Sequence, residues 1–103
     1  MPGKYRVDIT PSAEADVEEI WTYIAHDSEI RAAGFIRQLE RQIAALERYP
    51  ARCPLIAENE LLGTHYRHLL FQDYRTIFKL SGNVVYVLRI VHGSRLLDDS
   101  LFD

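Results

Sequence analysis

Four side chains near the C-terminal end of the chain are of the types that handle negative charge: Arg75, Arg89, His92 and Arg95. Arginine presents a planar fork of N–H donors that matches carboxylate and phosphate oxygens. Histidine exchanges a proton near neutral pH more readily than any other side chain. All four lie in residues 65–95, HYRHLLFQDYRTIFKLSGNVVYVLRIVHGSR, together with Arg67, Lys79, His65 and His68. The stretch reads as three strands, Tyr66 to Phe71, Tyr74 to Leu80 and Val84 to Val91, dense in β-branched and aromatic residues. Gln72-Asp73 and Ser81-Gly82-Asn83 supply the turns, and Gly82 and Asn83 both tolerate the positive φ a short hairpin loop needs. Alternation sets Arg75, Ile77 and Lys79 on one face of the second strand, and Val85, Val87, Arg89 and Val91 on one face of the third. Arg75 opens its strand and Arg89 nears the end of the next, so an antiparallel hairpin brings them to the same end, with His92 and Arg95 just beyond. The pattern predicts one basic cluster of these four residues. An arginine in an apolar strand is costly to bury unless it is paired or opens onto a cleft. The cluster therefore faces an anionic ligand or is paired with acidic residues of a neighbouring element, of which the chain has many.

Other elements must position this sheet. Tyr5 to Ile9 alternates as a half-buried strand, with Tyr5, Val7 and Ile9 inward. Thr10 and Pro11 then start a helix as N-cap and first helical residue. Glu14, Asp16, Glu18 and Glu19 crowd its early turns, where the helix dipole favours them, and read as a solvated face. Ala13, Val17, Ile20 and Ile24 form its buried stripe, with Trp21 and Tyr23 at the core or its edge. His26-Asp27-Ser28 breaks the helix, and Asp27 or Ser28 caps a second one from about Ile30 to Arg48. There Ala32, Ile36, Leu39, Ile43 and Leu46 step by four and three, with Phe35 widening the stripe. Pro50 ends it. The short connection makes an antiparallel helical hairpin whose joint apolar face needs a sheet to cover. Residues 49–63 are irregular, with Leu55, Ile56, Leu61 and Leu62 expected to tuck under the loop. The order is β-α-α-β-β-β: an α+β domain in which a mostly antiparallel four-stranded sheet packs against an N-terminal helical hairpin. The other sheet face is expected to be partly open, and the tail from Leu96 to Asp103 to form one turn or to await a partner.

Composition narrows the function classes. The 103 residues suit one domain with one modest core. No apolar run approaches the roughly 20 residues of a membrane span, and the start, MPGKYRVDIT, has no signal-peptide core. The single cysteine, Cys53, forms no internal disulfide, so the reducing cytoplasm is the expected setting. Cys53 has no nearby His or Cys to make a metal site or an activated nucleophile, and no cofactor is implied. Net charge is −3 and uneven: −5 over residues 1–30, +5 over 31–95 and −3 over the last eight. The middle region suits an acidic partner, but the whole lacks the positive field of a protein that lives by phosphate contacts.

Several short pieces, taken in order, resemble the RelE/ParE superfamily, the toxins of bacterial type II toxin–antitoxin modules. They are Tyr5-Arg6-Val7 leading to Thr10-Pro11-Ser12-Ala13, then Asp16-Val17-Glu18-Glu19-Ile20-Trp21. Leu46 with Tyr49-Pro50, Gly63 with Tyr66-Arg67, and Tyr74-Arg75 follow, and Val87-Leu88-Arg89-Ile90-Val91-His92-Gly93-Ser94-Arg95 closes the set. The resemblance covers nearly the whole length and implies the same α+β fold. It also implies one of two activities. RelE-like members cleave mRNA in the ribosomal A site; Arg75 and Arg89 would then stabilise the phosphate, and His92 would be the acid/base. ParE-like members poison DNA gyrase and do not rely on a nuclease centre. The acidic balance, Glu58 and Glu60 where RelE-like chains tend to carry lysines, and the Arg-x-x-His strand ending with no tyrosine after it favour the ParE-like branch. A degenerate member that binds an antitoxin without toxicity is a third reading. All three imply a cognate antitoxin whose C-terminal segment wraps the toxin in a hetero-oligomer. Arg67, Arg75, Arg89, His92 and Arg95 are the expected contacts for that antitoxin or for the target, and the grooves of the helical hairpin the apolar ones.

Overall fold

The computed structural model describes residues 4–102, so Met1 to Gly3 and the last acidic residue of the tail, Asp103, lie outside it. Strand β1 (Arg6–Ile9) leads into helices α1 (Pro11–Ala25) and α2 (Glu29–Ala44), and a short helical turn α3 (Asn59–Leu62) precedes strands β2 (Arg67–Phe71), β3 (Tyr74–Ser81) and β4 (Val84–His92). Thr10 caps α1 in an extended conformation, its hydroxyl oxygen accepting from the Ala13 N–H, with Pro11 at the first helical position. Ser28 caps α2 in the same way through the Arg31 N–H. The second helix tightens into a 3-10 turn at Ala45–Glu47. The chain then reverses at Tyr49, which takes up a left-handed conformation (φ 49°) before Pro50.

The sheet order is β1-β4-β3-β2. β2, β3 and β4 form an antiparallel meander, and β1 lies parallel to β4, pairing Arg6–Ile9 with Val84–Val87. The helical hairpin covers one face. Its stripe of Ala13, Ile20, Leu39, Ile43 and Leu46 meets Phe78, Val85, Val87 and Ile90 in the main core. Fully burying a side chain the size of Phe78 or Leu39 is worth roughly 1.5–3 kcal/mol.

The structure departs from simple alternation at one point. Ile77 pairs with Arg89 but Phe78 pairs with Val87, so Leu88 is an extra residue in β4. Such a bulge reverses the side-chain phase beyond it. Val85 and Val87 face the helices as one set, but Arg89 and Val91 fall on the opposite face and Ile90 turns to the helices, which corrects the expected face shared by Val85, Val87, Arg89 and Val91.

The second face is also less open than expected. Ile56, from the loop before β2, and Leu97 and Leu101, from the C-terminal segment, close over Ile77 and Val91. The tail forms a 3-10 turn at Asp99–Phe102, with Phe102 against Tyr66. Asn59 holds the loop in shape: its side-chain amide donates to the Tyr66 carbonyl, and its oxygen accepts from the Tyr66 N–H and the Thr64 hydroxyl. Leu55 and Leu61, expected beneath the loop, are 54% and 84% exposed. Tyr23 points to solvent as well, because α1 and α2 leave that side of the hairpin uncovered.

Candidate functional site

The sequence-predicted arginines do reach the same end of the sheet. Arg75 is level with Val91 and Arg89 with Ile77, so the two are diagonal neighbours on the second face. Each, however, is held by a carboxylate of its own.

Arg89 is bound by Asp16. Its Nε and Nη2 donate to the two carboxylate oxygens at 2.7 and 2.8 Å, and Nη1 donates to the Leu101 carbonyl at 3.0 Å. Paired charge-assisted bonds of this kind are short and geometrically selective. The Asp16 carboxylate raises the Arg89 pKa still further. Asp16 also accepts the Ile90 N–H at 2.8 Å. This N–H lies on the stretch of β4 beyond its pairing with β1, so Asp16 stands in for a missing strand. Its side chain is buried, not on the solvated helix face expected of the acidic run. The signal was in the spacing: Asp16 lies midway between Ala13 and Ile20, three residues from one and four from the other, which places it on the buried stripe of α1.

Arg75 is bound by Glu58. Nη2 and Nη1 donate to the two carboxylate oxygens at 2.6 and 3.3 Å, and Nη1 lies 3.4 Å from His68 Nδ1. Arg75 is 7% exposed. Its hydrogen bonds hold the Glu58 carboxyl below the usual carboxylate range. Burial, and then the adjacent guanidinium, lower the His68 pKa. His68 faces this pair because β2 pairs it with Ile77. Sequence reasoning put neither Glu58 nor His68 in the site, since no periodicity links a loop carboxylate to a strand arginine 17 residues later.

The other expected contacts lie apart from these pairs. His92 is exposed at the end of β4; its Nδ1 is 2.7 Å from the Ser94 hydroxyl and accepts the Ser94 N–H, and its ring meets the Tyr74 edge. Arg95 is exposed in the following turn. Arg67 donates to the Ala51 and Cys53 carbonyls and so ties β2 to the preceding loop. Burial raises the Cys53 thiol pKa, the direction opposite to that of an activated nucleophile. Among the described residues, no group of three or more His, Cys, Asp or Glu side chains is arranged to hold a metal ion, and no helix is long and apolar enough to cross a membrane.

The family model described as the ParE toxin of the type II toxin–antitoxin system parDE matches residues 7–97. The chain belongs to this family. Its fold is similar to that of a chain from the chromosomal ParDE toxin–antitoxin system of P. aeruginosa, with a TM-score of 0.70 and 20% identity over 86% of this chain and 96% of that one. It is also similar to a chain of the RelBE2 toxin–antitoxin complex of Mycobacterium tuberculosis, with a TM-score of 0.62 and 20% identity over 86% and 98%. A search of curated proteins finds no match. The ParE toxin family member thus carries the α+β fold that the β-α-α-β-β-β pattern predicts. It is a toxin of a type II toxin–antitoxin system, a class that works with an antitoxin partner.

Proposed function

We propose that this toxin is ParE-like in action: it inhibits DNA gyrase, blocks replication and growth, and is neutralised in a cytoplasmic hetero-oligomer by a cognate antitoxin. The observation that carries the reading is the internal engagement of Arg89, the strand arginine whose three side-chain nitrogens are all bonded within the fold. A ribonuclease that cleaves through the 2′-hydroxyl needs guanidinium N–H groups free to meet the phosphate as charge builds, and an acid/base group within reach. Here Arg89 spends Nε, Nη1 and Nη2 on Asp16 and Leu101, and Arg75 spends both terminal nitrogens on Glu58. His92 is exposed and bonded to Ser94. The chain's net charge of −3 also opposes docking on RNA.

The test is pulse labelling after induced expression without antitoxin, with thymidine and amino-acid incorporation followed in the same cells. DNA synthesis should stop first while translation continues. If protein synthesis stops first, the chain is a RelE-like ribosome-dependent endoribonuclease acting through Arg75, Arg89 and His92. If neither stops, it binds an antitoxin without being toxic.

A further inference from the structure

We propose that Arg75 is a receptor for a carboxylate on an acidic, leucine-bearing segment of the antitoxin, and that Glu58 fills this receptor in the free chain. The inference rests on the antitoxin reading above and names the chemistry by which one site recognises that partner.

A guanidinium has two edges able to take a carboxylate side by side: the two terminal nitrogens, or Nε with one of them. Glu58 occupies the first. On the second edge, Nε is fully buried and has no acceptor among the described residues. A buried N–H without a partner destabilises the state that contains it, so the Arg75 site is only half satisfied by its internal ligand. The two halves of the ion pair also differ in freedom. Arg75 sits on β3, an inner strand of the sheet. Glu58 immediately precedes the four-residue turn α3, and its side chain is 25% exposed against 9% for Arg75. The carboxylate is the half that can leave. An incoming carboxylate that takes Nε and one terminal nitrogen satisfies the orphaned donor and replaces like with like.

The surroundings favour a peptide over a nucleic acid. Leu70, the cross-strand partner of Arg75, is 61% exposed, and the loop that carries Glu58 exposes Leu55 and Leu61. These side chains offer apolar contact to leucines and nothing to a phosphodiester backbone. Glu60, two residues after Glu58 on the same loop, and the net charge of −3 repel a polyanion more strongly than a segment with a few carboxylates.

The experiment compares the full-length chain with E58Q, using a fluorescein-labelled peptide of alternating glutamate and leucine and, in parallel, a labelled oligouridylate of equal length. E58Q keeps the shape of the loop but removes the competing charge. It should bind the peptide about ten-fold more tightly than the native chain, the order expected for one charge-assisted contact. Oligouridylate binding should not change, and E58Q/R75Q should lose the gain. Equal peptide affinity for native and E58Q chains, including none for either, overturns the proposal; a gain confined to oligouridylate assigns the site to phosphate instead. A second readout uses the native chain alone. The Arg75 Nε–H resonance should move as peptide is added, and a resonance unmoved at saturation also overturns the proposal. Neither readout involves gyrase or growth, so failure of the toxin in cells and failure of this site are separately visible.

Discussion

Asp16 and Arg89 are 73 residues apart in sequence and meet through two hydrogen bonds of 2.7 and 2.8 Å that tie helix α1 to strand β4. The same carboxylate accepts the Ile90 N–H, and the same guanidinium reaches the Leu101 carbonyl. One ion pair therefore joins the first helix, the stretch of β4 beyond its pairing with β1 and the C-terminal turn.

Removing the carboxylate should be costly. Asp16→Ala leaves Arg89 largely buried without its counter-ion and the Ile90 N–H without an acceptor. Breaking a buried pair from one side costs about 3–5 kcal/mol, and the low end is expected here because the Arg89 side chain is 18% exposed. Urea unfolding would measure the loss. Asp16→Asn keeps an oxygen for Ile90 and should cost clearly less; equal losses would mean that the charge contributes nothing.

Acid should weaken the fold through His68. Burial and the Arg75 guanidinium lower its pKa in the folded chain, so the unfolded chain, whose histidine titrates near the ordinary value of about 6.5, takes up the proton first. The stability that depends on neutral His68 is complete above that pH and declines as pH falls through it towards the lowered folded value. Glu58, whose folded pKa is lowered by its bonds from Arg75, adds a further loss only below the ordinary carboxylate pKa of about 4.3. Urea midpoints taken between pH 7.5 and 5.5 should fall for the native chain and stay flatter for His68→Gln. Parallel curves would show that His68 is not linked to folding.

Thr10 should contribute more than an ordinary cap. Its hydroxyl oxygen accepts from the Ala13 N–H, and its hydrogen is donated to the carbonyl of Leu88, the unpaired residue of the β4 bulge. Thr10→Ala removes both bonds, and a loss near the upper end of the cap range, about 2 kcal/mol, is expected in urea unfolding. Thr10→Ser should retain most of that stability, since it keeps the hydroxyl.

These residues show where sequence reading succeeds and where it stops. Thr10, Pro11 and Ser28 announce the two helix starts because capping is local chemistry, read within three residues. The helical stripes and the three-strand meander follow from periodicity for the same reason. Alternation alone does not reveal the bulge at Leu88, and that single extra residue puts Arg89 on the other face of β4. The partners of Arg75 and Arg89 were out of reach because an ion pair across 17 or 73 residues leaves no periodic trace. Asp16 is the exception: its place on the buried stripe was visible in its spacing, but its charge suggested solvent. Tyr23, Leu55 and Leu61 show the opposite limit, since an apolar side chain does not by itself reveal whether a neighbour covers it.

His92 should be dispensable for toxicity if the gyrase reading is right. Its side chain is exposed, its Nδ1 is engaged with Ser94, and its ring lies 5.6 Å from the Tyr74 ring. His92→Ala removes a surface side chain with one local hydrogen-bonded partner, so folding stability should change by no more than about 0.5–1 kcal/mol. Growth inhibition on induction should persist at the native level. An enzyme that used His92 as its acid or base would instead lose roughly 10²–10⁴-fold in rate, enough to abolish inhibition at the same expression level. Thermal unfolding and antitoxin co-purification would run alongside the growth assay. Loss of toxicity with both of these unchanged would return His92 to the acid/base role and favour mRNA cleavage over gyrase inhibition.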